Sequence, residues 1–172
     1  MRSYRKLLPI FFSLFLYVPL ATAAEVSVLE GSERQQYLDS IMQLQAIQDE
    51  RTALLAQINL LLKEHALLSG YQVGYRNPQD IVYSISVVKH GELSIREQTR
   101  TVQTGQLQVR SRTINVFGMS SSFGYECFAN KVDCIVTHAA SSTPLLRIAR
   151  QPNVAKELTQ ALSYLVRDMQ RN

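Results

Sequence analysis

Tryptophan is absent from the 172-residue chain, and histidine and cysteine are scarce, with three and two residues. Without tryptophan, a carbohydrate site built on ring stacking is not expected. The chain has neither a glycine-rich nucleotide loop nor a closely spaced set of histidines and cysteines. We therefore predict no bound nucleotide, no metal ion and no other cofactor.

The sequence also lacks a recognisable catalytic constellation. His138 stands near Ser141 and Ser142, but no G-x-S-x-G turn surrounds these serines. The neighbouring acids Asp49 and Glu50 point apart on a predicted helix, so they do not form an acid–base pair. We predict that the chain is not an enzyme. A hydrolase would require His138 to meet a serine and an acid.

The first 23 residues have the three parts of a signal peptide. Arg2, Arg5 and Lys6 form a positively charged start, an apolar run follows at 7–20, and the Ala-Thr-Ala sequence at 21–23 suits signal peptidase. The apolar run is shorter than the roughly 20 residues that a membrane span needs. Cleavage after this sequence, or one residue later, would place the mature chain in the periplasm or outside the cell. The alternative is an uncleaved anchor.

Most of the excess positive charge belongs to that segment. The chain has 18 Lys and Arg against 14 Asp and Glu, for a net charge of +4. Three of the cations lie in the first six residues, so 15 cations and 14 acids remain and the net charge of the rest is +1. A mature chain so close to neutral is not expected to bind nucleic acid.

Cys127 and Cys134 enclose six residues and are the only cysteines. An even number of cysteines in an exported chain predicts a disulfide, and closing so short a loop is worth about 2–3 kcal/mol. A zinc site with His138 would lack the close cysteine pair and a fourth ligand. The Cys-x-x-Cys redox pattern is also absent. A structural disulfide is favoured over a metal site or free thiols.

A long helix is predicted from Ser32 to Ser69, because this stretch has no Gly or Pro and carries apolar residues at helical spacing. Ser32 and Gln35 suggest a capping box at its start, and Gly70 suggests a left-handed residue at its end. Such a helix would be about 55 Å long, more than the width of a small domain. It must therefore project, pair with another helix or break.

One face of this helix is the predicted interaction surface: Ile41, Leu44, Ile47, Arg51, Leu54, Ile58 and Leu61. Arg51 interrupts the apolar stripe, where a cation either needs a carboxylate partner or sets the register of paired helices. Two interpretations stay open. The leucine-rich second half lies across a sheet as a core helix, or the first half projects and pairs with its own copies or an envelope protein.

From residue 80 the apolar period changes to two, which predicts an antiparallel sheet. The clearest hairpin joins strands 93–103 and 106–117 through a Thr-Gly turn. A two-residue turn would place Glu97 opposite Arg112, a favourable cross-strand pair. A final helix that begins near residue 152 has one apolar face, so we expect it to pack on the sheet.

Four arginines lie on this hairpin: Arg96, Arg100, Arg110 and Arg112. The predicted register puts Arg96 and Arg100 on the face opposite to the Glu97–Arg112 pair. The hairpin either is a solvated polar surface or contacts an anionic surface such as lipid head groups, so peripheral membrane contact stays open. The interleaved aromatic residues of single-stranded nucleic-acid binders are missing here.

The order of a long N-terminal helix, an antiparallel sheet and a late disulfide loop resembles the architecture of a type IV pilin. In a pilin, however, the apolar segment begins the long helix, after a Gly-containing cleavage site followed by Glu. Here the apolar segment ends in Ala-Thr-Ala-Ala at 21–24, and the predicted helix starts separately at Ser32. The resemblance has no matching motif, and we assign no family.

The predicted fold is α+β, with a long N-terminal helix and a C-terminal helix packed on an antiparallel β-sheet, and one disulfide. The chain divides into a signal peptide at 1–23, a lead-in and long coiled-coil-like helix at 24–69, and a sheet domain with a C-terminal helix at 70–172. We expect a non-enzymatic cell-envelope protein that acts through protein–protein interaction, such as an accessory component of a secretion, conjugation or pilus assembly. The alternative is a periplasmic module that binds a small ligand or lipid between sheet and helix.

Overall fold

The computed structural model describes residues 24–141 and 143–171, so the signal-peptide prediction for residues 1–23 lies outside it. The described chain contains three α-helices and six β-strands: α1 Ala24–Gln45, α2 Glu50–Glu64, β1 Gln79–Lys89, β2 Glu92–Thr101, β3 Leu107–Asn115, β4 Phe123–Glu126, β5 Asp133–His138, β6 Pro144–Ala149 and α3 Pro152–Arg171. The predicted α+β class is confirmed. Over the described ranges, no helix has both the length and the apolar character needed to cross a bilayer.

The helix predicted over residues 32–69 is not continuous. α1 ends just before Ala46, which adopts a left-handed φ of 54°. The Asp49 carboxylate then accepts hydrogen bonds from the Thr52 N–H at 2.8 Å and from the Thr52 hydroxyl at 2.6 Å. Asp49 is therefore the N-cap of α2, and the capped start of a second helix stabilises the break.

Both predicted ends of that helix were also wrong. Ser32 lies inside α1, so it does not form a capping box at a helix start. α2 ends at Glu64 with His65 as its C-cap, and Gly70 belongs to a separate 3-10 turn, Ser69–Tyr71. The residues between α2 and this turn are extended because they pair with strands, as described below.

All three helices and both sheets contribute to one core. α1 supplies Leu38 and Ile41, α2 supplies apolar residues of the stretch 53–62, and α3 supplies the apolar face predicted from its sequence. The ring of Tyr37 on α1 packs against that of Tyr164 on α3, with 5.6 Å between the ring centroids. The break between α1 and α2 thus lets both helices bury apolar side chains in the same core.

The strands form two antiparallel sheets with the orders β1-β2-β3 and β4-β5-β6. An extended segment connects them, because Leu67 bridges Ile81 of β1 and Ala66 bridges Ile148 of β6. The Ile81 N–H donates to the Leu67 carbonyl oxygen at 2.9 Å. The two sheets joined through this segment have β3 as the outermost strand at one end and β4 as the outermost strand at the other.

The β2–β3 hairpin is displaced from its predicted register by two residues. Glu97 lies opposite Arg110 rather than Arg112. The reason is the loop: the Thr101 N–H donates to the Gln106 carbonyl oxygen at 2.9 Å, which leaves four residues in the loop instead of two. Because the displacement is an even number, each side chain keeps its predicted face of the sheet.

The predicted disulfide is confirmed between Cys127 and Cys134. Cys134 is fully buried on β5, and Cys127 follows β4, so the bond ties together the two ends of the β4–β5 connection. Structural disulfides persist in oxidising compartments. The bond is therefore compatible with a location outside the cytoplasm.

Candidate interaction surface

β3 is the outermost strand of its sheet and is exposed on both faces. It pairs with β2 on one side, and no described residue pairs with its other side. Residues 107–113 are all exposed, including Leu107 at 59% and Val109 at 44%. A strand of 9 residues with a free edge and accessible apolar side chains is a template for pairing with another chain.

Every second residue of β3 directs its backbone groups away from β2. Two backbone hydrogen bonds show which residues of the two strands are bonded to each other. At one end of the hairpin the Thr101 N–H donates to the Gln106 carbonyl oxygen, and at the other end the Val116 N–H donates to the Gly91 carbonyl oxygen at 2.8 Å. Bonded and non-bonded pairs alternate in an antiparallel ladder, so the even-numbered residues of β3 bond to β2. The odd-numbered residues face outward, and we call them the open edge: Leu107, Val109, Ser111 and Thr113.

The opposite edge of the same sheet is covered. Asn59 of α2 takes the place of a neighbouring strand, because its Oδ1 accepts from the Ile85 N–H at 2.8 Å and its Nδ2 donates to the Ile85 carbonyl oxygen at 2.8 Å. Further along β1, Leu67 pairs with Ile81. Natural sheets commonly cover or disrupt their edges. Within this sheet, the long edge of β3 is the one left open.

The four arginines of the hairpin divide between its two faces, as the sequence predicted. Arg110 is aligned across the sheet with the buried Tyr83, so Arg110 and Arg112 lie on the inner face. Arg96 and Arg100 lie on the outer face of β2, which Leu107 and Val109 share on β3. On β3 itself, the arginines thus lie on the inner face and the apolar side chains lie on the outer face.

The two inner-face arginines differ in their partners. Arg112 donates to the carbonyl oxygens of residues 144–145 at the start of β6, which holds its guanidinium across the gap between the sheets. Arg110 has no hydrogen bond or ion pair within the described chain, although Glu97 is its neighbour on β2. Glu97 instead accepts a hydrogen bond from the Tyr83 hydroxyl at 2.9 Å. Burial, and then this hydrogen bond, raise the pKa of Tyr83, so the hydroxyl keeps its proton.

Two small cavities lie under the inner face of β3, between the sheets. One has a volume of about 210 Å³ and is lined by Arg110, Arg112 and Arg147 together with Glu97 and residues of β6. The other has a volume of about 310 Å³ and adjoins the first at Arg112. By contrast, the apolar face of α3, which the ligand-binding alternative would use, is covered by core side chains.

The predicted helix face is not one continuous surface. Leu44 is 77% exposed, whereas Ile47 is half-buried against the core. Arg51 donates to the Asp168 carboxylate of α3 at 2.7 Å, which is the kind of partner that its place in the stripe required. The remaining four residues of the face are buried in the core: Ile41, Leu54, Ile58 and Leu61.

Of the residues considered for catalysis, His138 and Ser141 both line the cavity of about 310 Å³, but no Asp or Glu of the described chain lines it with them. His138 Nε2 lies 2.7 Å from the Ser120 carbonyl oxygen, and the Ser141 hydroxyl accepts a hydrogen bond from the Thr143 N–H at 3.1 Å. Ser142 lies outside the described residues. In the part of the chain that the structure describes, no three His, Cys, Asp or Glu residues are grouped to hold a metal ion.

Comparison of the chain with models of known protein families, with curated proteins and with solved structures gives no match. Its function must therefore be inferred from the molecule itself.

Sequence reasoning missed the open edge, because it considered this strand only as a carrier of arginines. One signal was present in the sequence. The strand at 81–87 places Ile, Tyr or Val at alternate positions, whereas residues 107–113 carry only Leu107 and Val109 as apolar side chains. A strand without an apolar face is typical of the end of a sheet.

Proposed function

We propose that this chain is an exported cell-envelope protein without enzymatic activity, which binds another protein by accepting an extended segment onto the open edge of β3. The observation that carries the proposal is the open edge itself: outward-directed backbone groups on a 9-residue strand whose residues 107–113 are exposed on both faces. In strand addition, backbone hydrogen bonds supply affinity and alternate side chains supply specificity.

The proposed location rests on two features. The first 23 residues have the composition of a signal peptide. The Cys127–Cys134 bond is of the kind that persists in oxidising compartments. Because strand addition joins subunits in chaperone–pilin complexes, we propose that the protein is an accessory component of a secretion, conjugation or pilus assembly.

Self-association through the N-terminal helix was the other form of the interaction hypothesis. Self-association through this helix is less well supported, because four residues of the predicted face are buried in the core: Ile41, Leu54, Ile58 and Leu61. Leu44 alone offers a largely exposed apolar side chain on that face. A single leucine does not provide the stripe that paired helices need.

The test uses Ser111→Pro, with Ser111→Ala as its matched control. Proline removes the outward N–H of residue 111 and places its ring at the open edge, but it leaves the ladder to β2 intact because that N–H does not face β2. Alanine keeps the N–H and removes only the hydroxyl. Far-UV circular dichroism and thermal unfolding would establish that both variants are folded.

Each tagged variant would be crosslinked in intact cell envelopes, with a photoreactive residue in place of Thr113. We expect wild type and Ser111→Ala to be joined to the same protein, through one extended segment identified by mass spectrometry, and Ser111→Pro to lose this adduct. The purified partner should reproduce the difference. Equal capture by the proline variant would show that β3 is not the binding edge.

A further inference from the structure

The side chains beside the open edge restrict which segment can pair with it. On the inner face, an added strand would place its side chains next to Arg110 and Arg112. On the outer face, it would meet Leu107 and Val109, which are 59% and 44% exposed. Side chains directly opposite each other on neighbouring strands interact, and opposite charges or apolar pairs are favourable.

A second copy of this chain suits the edge poorly. If two β3 strands paired antiparallel in full overlap, Ser111 would lie opposite its counterpart, and Arg110 would face the second copy's Arg112. The symmetry would create this contact twice. Like charges directly opposite each other destabilise a strand pair. In this full-overlap register, the edge therefore favours a different chain, one that brings negative charge.

The inner-face arginines are also prepared for carboxylates. Arg110 has no partner in the described structure, so binding a carboxylate would break no existing ion pair. The Glu97 carboxylate, on its other side, is already hydrogen-bonded to Tyr83. Arg112 is held in place by the carbonyl oxygens at 144–145, which lowers the entropy lost when it binds an acid.

From this arrangement we infer that the partner is an extended acidic segment, with Asp or Glu at two positions two residues apart and apolar side chains one and three residues beyond one of these acids. The acids lie over Arg110 and Arg112, and the apolar side chains lie over Leu107 and Val109. This inference rests on the proposed function, since it names the chemistry of the segment that the open edge accepts.

The test is a titration of the isotope-labelled protein, residues 24–172, with synthetic peptides, followed by NMR at the amides of the open edge. One eight-residue peptide alternates Glu and Val, and a second alternates Lys and Val. A third is the Glu–Val peptide with a central proline, which cannot complete the backbone pairing. We expect the Glu–Val peptide to shift the outward amides at lower concentration than the Lys–Val peptide, and the proline peptide to bind least.

Two single substitutions separate a paired strand from general attraction of an acidic peptide to a basic surface. Arg110→Gln removes a charge next to the open edge, and we expect the Glu–Val peptide to bind roughly threefold more weakly, as for one cross-strand charge pair. Arg96→Gln removes the same charge from the outer face of β2, away from the open edge, and should leave the affinity unchanged. Added salt should reduce the preference for Glu–Val over Lys–Val.

The outcomes separate the inference from the proposal beneath it. If Glu–Val and Lys–Val peptides bind the open edge equally, the acidic segment is ruled out but strand addition stands. If Arg96→Gln weakens binding as much as Arg110→Gln, the attraction is not specific to the edge and the inference also fails. If no peptide shifts the outward amides, or if the protein forms a dimer through β3, strand addition by a different chain fails as well.

Discussion

Replacing Asn59 by alanine should destabilise the protein markedly, although the substitution removes only a half-buried polar side chain. The Asn59 amide completes both backbone hydrogen bonds of Ile85 on the edge of β1, each at 2.8 Å. It also donates to the Leu55 carbonyl oxygen at 2.9 Å, but a helix carbonyl has a backbone partner already. The effect should therefore come mainly from Ile85.

Ile85 is 3% exposed, so its N–H and C=O would lose their partners with little access to water. Each buried group left unpaired costs about 1–3 kcal/mol. Water can partly reach the Ile85 N–H and C=O at the site that the asparagine side chain vacates, so each group should cost less than the maximum. Together they should lower the free energy of unfolding by about 3 kcal/mol. For a domain of this size, that loss corresponds to a fall in Tm of roughly 6–12 °C.

Urea unfolding followed by circular dichroism would measure the effect, with the m-value as a check that unfolding stays two-state. Lys63→Ala is the matched control, because Lys63 is exposed on the same helix and has no side-chain partner in the described structure. Its unfolding free energy should stay within about 0.5 kcal/mol of wild type. If Asn59→Ala lowered the unfolding free energy by less than about 0.5 kcal/mol, the idea that Asn59 covers the edge of β1 would be refuted.

Three further perturbations test other parts of the fold. Leu38→Ala should cost about 2–4 kcal/mol in urea unfolding, because Leu38 is fully buried, and a negligible loss would mean that α1 does not pack in the core. Replacing Cys127 and Cys134 together by serine should cost about 2–3 kcal/mol, and an unchanged unfolding midpoint would contradict a stabilising role for the disulfide. Hydrogen bonds from the Thr52 hydroxyl, and then from the Thr52 N–H, lower the pKa of Asp49 in the folded protein. The stabilisation that the Asp49 carboxylate provides is therefore complete above about pH 4, and it is lost as the pH falls through the lowered pKa of the folded state. Asp49→Asn, which keeps a good N-cap, should therefore lose less stability in acid than wild type, and identical pH profiles would contradict this.

The elements that could be predicted from the sequence are those whose pattern is local. The apolar face of α3 repeats at helical spacing through 154–169, and the cysteine pair lies in one short stretch. The break between α1 and α2 was missed because residues 46–49 contain no Gly or Pro, and the apolar stripe continues across them. Asp49, an N-cap residue type followed three positions later by Thr52, was the available signal of a helix start. The helical spacing of the apolar residues favoured a continuous helix instead.

The candidate surface was only partly accessible to sequence reasoning, for a different physical reason. The hairpin and the division of its arginines between two faces follow from alternation along each strand. Which strand ends the sheet depends on contacts far apart in sequence. β3 is the open edge because Asn59 and Leu67 occupy the other side of β1, and no local pattern reveals that arrangement.

Amide hydrogen exchange on β3, measured residue by residue, tests the open edge most directly. In the free protein, we expect the odd-numbered amides at 109–113 to exchange fast and the even-numbered amides at 108–112, which bond to β2, to exchange slowly. Addition of the crosslinked partner, once purified, should slow the odd-numbered amides. Slow exchange of these amides in the free monomer, or no change when the partner binds, would contradict an edge that accepts a strand.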